Sequence, residues 1–116
     1  MQPGMLEGVG AGVERYMNLL SARQKLVASN IANADTPDYK TKDVDFQTEL
    51  ANQMGSQSPG VVEVSGLKTK NDGNNVDMDR ESRLLAENAL RFAVASSLAR
   101  SELQSIKSAI EDSKTS

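Results

Sequence analysis

Apolar residues return every seven positions at both ends of this chain. At the first end the series is Leu6, Val13, Leu20, Val27 and Ala34. Tyr16 or Met17, and then Ile31, fall three or four residues after members of that series. The spacing predicts a helix over about residues 8–34, and a seven-residue repeat suits a left-handed coiled-coil seam. Arg23, Gln24 and Asn30 interrupt the dry core that such a seam wants. Glycines at 4, 8, 10 and 12 weaken the first turns, each by up to about 1 kcal/mol against Ala, so fraying is expected there.

The second series is Met78, Leu85, Phe92, Ala99 and Ile106, with Ala89, Ser96, Leu103 and Ile110 four residues behind its members. Leu84, Ala95 and Leu98 widen this apolar face beyond a narrow seam. Asp77 or Asp79 can cap the start, and Glu81 in the first turn suits the helix dipole. The pattern predicts a helix over about 79–111, followed by a polar fraying tail, "EDSKTS". Between the two helices, Asp45 can cap a short helix whose face is Phe46, Leu50 and Met54, closed by Gly55. "GSQSPG" reads as a flexible loop, "VVEV" at 61–64 and "LKTK" at 67–70 as two short strands around Ser65-Gly66, and "NDGNN" as a turn cluster. The expected fold is therefore mainly α. Two long terminal helices pair as an antiparallel coiled coil around a small irregular middle (residues 35–76), all in one domain spanning 1–116. Each stripe is wider than a single antiparallel partner covers, so the leftover apolar surface asks for other chains.

Composition strengthens that reading. Hydrophobic residues make up 38% of the 116 and aromatics only 3%, with two Tyr, two Phe and no Trp, so a core confined to one chain is thin. Net charge is −3 and the cations are scattered, which leaves no basic footprint for nucleic acid. There is no Cys and no His, which removes disulfides, thiolate chemistry and the commonest general base and metal ligand. No catalytic, cofactor-binding or metal residues are assigned, no cofactor is expected, and an enzyme is not. "MQPGMLEGVGAGVERYMNLL" lacks a basic start, and Glu7, Glu14 and Arg15 break its apolar run, so a cleaved signal peptide is not expected. "GVGAG" at 8–12 has no preceding strand for a dinucleotide loop. "NDGNNVDMDRE" at 71–81 misses the spacing of a calcium loop and reads as capping and turn chemistry.

One window concentrates polar chemistry: "SNIANADTPDYKTKDVDF", Ser29 to Phe46. Pro37 forbids continuation of the first helix and pushes Thr36 into extended geometry. Asn30 and Asn33 fall in the last turn, where their amides can bond free carbonyls or a neighbouring chain. Asp35 and Thr36 are turn formers that bond their own backbone. Lys40, Lys42, Val44 and Phe46 then alternate with Tyr39, Thr41, Asp43 and Asp45 in an extended exit. The window is read as a structural joint of Asn30, Asn33, Asp35, Thr36, Pro37, Tyr39 and Phe46. The assembly seams are read as Val13, Leu20, Val27, Ile31, Leu85, Phe92, Leu98, Leu103 and Ile106.

"RQKLVASNIANADTPDYKTKDVDF" (Arg23–Phe46) also resembles the signature of bacterial flagellar rod and hook proteins, in which a helix ends in an "NIANxxTPGY" type of motif. "DGNNVDMDRESRLLAEN" (Asp72–Asn88) resembles the segment leading into the C-terminal helix of the proximal rod proteins. The two blocks cover about a third of the chain. Asp38 stands where the motif usually has Gly, and the middle region is short for such a protein. The resemblance implies a structural subunit of the flagellar basal-body rod, exported through the flagellar type III apparatus without a cleaved signal. It implies assembly into a helical tube that crosses the periplasm and transmits motor torque to the hook. Its implied partners are further copies of itself, other rod subunits (FlgC-like), the rod-base adaptor FliE and the inner-membrane ring, with no nucleic acid and no small-molecule substrate. A soluble helical coiled-coil adaptor or chaperone is the alternative.

Overall fold

The computed structural model describes residues 5–52 and 59–115, with side chains from residue 10 to residue 114 within that span. The chain runs α1 (Met5–Ala32), β1 (Lys42–Val44), α2 (Phe46–Ala51), β2 (Val61–Glu63) and α3 (Met78–Thr115). The molecule measures 71 × 27 × 17 Å with a radius of gyration of 18.9 Å. A compact chain of this length would have a radius of gyration of about 13 Å, so the fold is a rod with a knot of structure near one end.

The two long helices pack against each other antiparallel. Asn30 meets Glu81, Gln24 meets Asn88, and Gly10 faces the Glu102 carboxylate. α3 begins where Asp77 caps it: the Asp77 carboxylate accepts from the amides of Asp79 and Arg80 at 3.0 and 3.3 Å. Its far end runs to Thr115, so "EDSKT" belongs to the helix rather than to a frayed tail. Lys114 in that last turn suits the negative end of the helix dipole. α1 is helical from Met5 despite its glycines and stops at Ala32, short of position 34. There the Asn33 and Ala34 amides turn back to the carbonyls of Asn30 and Ile31, a tightened last turn that ends the helix before Pro37 is reached.

The middle corrects one pairing. β2 pairs antiparallel with β1 in the register Lys42↔Glu63, Asp43↔Val62, Val44↔Val61, and "LKTK" forms no strand. Residues 41–44 leave the joint laid along α1 and present an open strand edge to 61–63. Val64 extends the ladder by donating to the Thr41 carbonyl at 2.9 Å. Asp45 caps α2 through its bonds from the Thr48 amide and hydroxyl. That helix closes at Asn52, while Met54 and Gly55 lie outside the described residues. A buried apolar cluster (Leu19, Leu20, Val44 and Phe46, flanked by Tyr16, Ala22 and Leu26) lies between α1, β1 and α2 rather than between the long helices. Tyr16 meets the Phe46 ring edge-on at 5.8 Å between centroids.

Candidate assembly joint

The joint is a type II turn fastened by side chains from distant parts of the chain. Pro37 occupies its second position, where its fixed φ is already correct. Asp38 follows with φ +63°, and the Tyr39 amide closes the turn on the Thr36 carbonyl at 3.3 Å. The third position of such a turn is left-handed, which glycine adopts freely and Asp or Asn tolerates better than other residues. Asp38 therefore preserves the bend that a glycine would make. It is held there by its own amide, which donates to the Asp72 carbonyl at 2.9 Å.

Asn33 anchors the approach to the turn. Its Nδ2 donates to the Ser29 carbonyl at 2.8 Å, and its Oδ1 accepts from the Thr36 hydroxyl at 3.0 Å. The carbonyls of Asn33 and Thr36, which accept from the amides of Thr36 and Tyr39 within the turn, both also accept from Asn74 Nδ2 at 2.8 Å. Asn75 does the same for the exit: the Thr41 amide donates to its Oδ1 at 2.7 Å, and the Thr41 hydroxyl to its carbonyl at 3.2 Å. Lys70 Nζ reaches the Ala34 carbonyl at 3.1 Å, and Lys40 Nζ donates to the Gly73 carbonyl. The loop 70–76 is thus the cap of α1, supplied from forty residues downstream. Gly73 sits at its tip with φ +86°, and a Cβ there would lie 2.1 Å from Asp38 Oδ1.

Beneath the turn lies a second, charged layer. Asn30 is fully buried: Nδ2 donates to the Lys42 carbonyl at 2.8 Å and to Glu81 Oε1, while Oδ1 accepts from the Lys42 amide and the Tyr39 hydroxyl. Glu81, also fully buried, accepts from Arg80 Nη1 at 2.8 Å. Arg80 Nη2 reaches Asp43 Oδ2 at 2.7 Å, and Arg23 grips both oxygens of Asp43 at 3.0–3.1 Å while lying 5.4 Å over the Phe46 ring. Two guanidiniums face two carboxylates, so every buried charge has an opposite partner and the arrangement can hold three elements together.

Of the residues read as the joint, Asn30, Asn33, Thr36, Pro37 and Tyr39 come together here. Asp35 and Pro37 are exposed, and Phe46 lies in the apolar cluster beside it. Of the residues read as seams, Leu20 and Val27 are buried within the subunit, whereas Val13, Ile31 and Ile106 are half-buried. Leu85, Phe92, Leu98 and Leu103 are exposed. The face that α3 turns to α1 carries instead Glu81, Leu84, Asn88 and Ala95. Sequence reasoning passed over Arg23, Asp43, Asn74, Asn75, Arg80 and Glu81 as functional positions. The available signal was the polar pair Arg23 and Asn30, seven apart on an otherwise apolar helix face. Among the described residues no group of three or more His, Cys, Asp or Glu is placed to hold a metal ion, and no helix is long and apolar enough to cross a membrane.

Fold and joint together define an elongated helical structural protein. Residues 16–40, the end of α1 and the turn, match the family model described as flagella basal body rod protein. The flagellar basal body rod protein FlgB of Escherichia coli K12 is 31% identical over 123 residues, covering 84% of this chain and 89% of that protein. The FlgB of Salmonella typhimurium LT2 matches to the same extent. That of Borrelia hermsii is 30% identical, over 84% of this chain and 91% of its own length. The chain belongs to the FlgB family of flagellar basal body rod proteins.

Proposed function

We propose that this chain is a structural subunit of the proximal flagellar rod, assembling into the helical tube at the base of the drive shaft and carrying motor torque during motility. The observation that carries the reading is the apolar surface of α3. Leu85, Phe92 and Leu103 are exposed on one flank of the helix pair, and Val94 and Leu98 on the other. Apolar stripes on both sides of one helix are suited to neighbours on both sides, as a closed tube provides and a simple two-chain adaptor does not. The family membership points the same way.

In this reading the joint is geometric and has no catalytic part: it sets the direction in which the middle region leaves the helix pair. Val13, Leu20, Val27 and Ile31 with Leu85, Phe92, Leu98, Leu103 and Ile106 form the seams of the inner layer. Some complete the subunit and others meet its neighbours. The neighbours are further copies of this chain, FlgC-like rod subunits, the adaptor FliE and the inner-membrane ring. The subunit reaches the periplasm through the flagellar type III export apparatus without a cleaved signal. Fractionation tests the reading. A tagged copy should co-purify with detergent-extracted basal bodies, and its deletion should leave cells without rods. Recovery of the tagged chain only from the cytosolic fraction would favour the adaptor reading.

A further inference from the structure

The helix pair buries the less apolar face of α3. At 100° per residue, Glu81, Leu84, Asn88 and Glu102 all lie within about 40° of the buried Ala95, and they form the stripe that faces α1. Leu85, Phe92, Leu103 and Ile110 lie about 60–80° away on one side, and all are exposed. The hydrophobic effect alone favours the opposite choice, with Phe92 and Leu85 turned inward against Leu20 and Val27. Some other interaction must set the rotation.

We infer that the buried cluster of Asn30, Glu81, Arg80, Asp43 and Arg23 selects which face of α3 packs on α1, and thereby holds the Leu85–Phe92–Leu103 stripe outward. The cluster has the means to do so. Asp43 and the Lys42 backbone sit on β1, which is tied to α1 by Arg23 and Asn30. Arg80 reaches Asp43, and Glu81 reaches Asn30, with this side of α3 turned inward. Turning the Leu85 stripe inward would carry Arg80 from about 60° to about 130° off the facing direction, away from Asp43. It would swing Glu81 from about 40° on one side of that direction to about 30° on the other, off the position where it accepts from Asn30. Asp43 would keep Arg23 but lose Arg80, and Asn30 would keep Lys42 and Tyr39 but lose Glu81. The buried Glu81 carboxylate would be left without its amide donor, which is unfavourable. An apolar mispairing is thereby opposed by polar groups that fit one rotation, as single buried polar residues select register in coiled coils. The inference concerns the isolated chain and stands apart from the flagellar reading.

The chain contains no Cys and no Trp, so introduced probes report alone. Gln24→Cys with Asn88→Cys places thiols at a facing contact outside the cluster, and in a separate chain Phe92→Trp reports on the outward stripe. In the parent sequence the disulfide should form readily and acrylamide should quench the introduced indole as it does a solvated one. In Asn30→Leu/Glu81→Leu the helical circular dichroism should persist while disulfide formation slows by about tenfold or more, as a shift in the favoured state of that order requires. Emission from the Phe92→Trp probe should move to shorter wavelength with weaker quenching. Glu81→Gln, which keeps the shape and removes the charge facing Arg80, should shift both readouts part of the way, and it decides the matter if the double variant loses its helices. Unchanged disulfide formation and quenching in a helical variant would overturn the inference. So would loss of helix in both variants, which marks the cluster as general stabilisation, and so would a parent chain that does not form the disulfide.

Discussion

Asp38 and Gly73 form a pair in which each limits the other. Asp38 occupies a left-handed turn position, and Gly73, itself at φ +86°, leaves the space its carboxylate fills. Asp38→Gly should be neutral or slightly stabilising, since it relieves a backbone preference of roughly 1 kcal/mol. Gly73→Ala should destabilise by about 2 kcal/mol or more, because unfavourable φ and a clash with Asp38 add together. Thermal unfolding should show Asp38→Gly restoring part of that loss, since it removes the clash but not the φ strain. Equal stability of Gly73→Ala and wild type would show that the loop does not close on the turn as described. The asparagines can be ranked by the same reasoning. Asn30 is buried with bonds to Lys42, Tyr39 and Glu81, whereas Asn33 is half-buried and bonds Ser29 and Thr36. Asn30→Ala should cost about 3 kcal/mol or more and Asn33→Ala about 1 kcal/mol, because a buried group left unpaired loses its full solvation. Denaturant titration that reversed this order would place the weight of the joint on the turn rather than beneath it.

At the scale of elements, the end of α1 is decided by a loop and not by proline. The helix stops at Ala32, five residues before Pro37, and Asn74 ties the loop 70–76 to the carbonyls of Asn33 and Thr36. Pro37→Ala should therefore cost the turn some rigidity, about 0.5–1 kcal/mol, without letting the helix run on. Asn74→Ala should cost more, about 1–2 kcal/mol, since the buried amide that ties the loop 70–76 to both turn carbonyls is lost. Hydrogen exchange at residues 33–39 would distinguish them: protection should be nearly intact in Pro37→Ala and lost in Asn74→Ala. Loss in both to the same degree would mean that the proline supports the stop after all.

The whole molecule separates residues that hold the subunit together from residues that wait for neighbours. Leu20 is 1% exposed and Leu98 is 50% exposed. Asp at position 20 buries an unpaired charge at a cost of several kcal/mol, so Leu20→Asp should unfold the subunit and abolish motility. Leu98→Asp should leave helix content and unfolding temperature close to wild type and still abolish motility, because the groove it lines with Gly12, Val13, Tyr16, Val94 and Ala95 would no longer take an apolar partner. Circular dichroism and swimming assays on the two variants make the comparison. A motile Leu98→Asp strain would show that this flank faces solvent in the rod.

The helices, their caps, the turn at Pro37 and the excess of apolar surface were legible along the chain, because each is local: 3.6-residue periodicity, an Asp before a helix, a proline before a residue that accepts positive φ. Tertiary structure alone decided three things. It chose which stripe of α3 faces α1, since Asn30 and Glu81 meet across 51 residues of sequence and no periodicity encodes that meeting. It paired "VVE" with "KDV" instead of "LKTK", because residues 41–44, held against α1, offer the strand edge. It also turned "NDGNN", a run that reads as a simple turn, into the cap of a helix forty residues away. Local pattern specifies what a segment forms. Buried polar groups, whose satisfaction depends on partners far along the chain, specify how the segments fit.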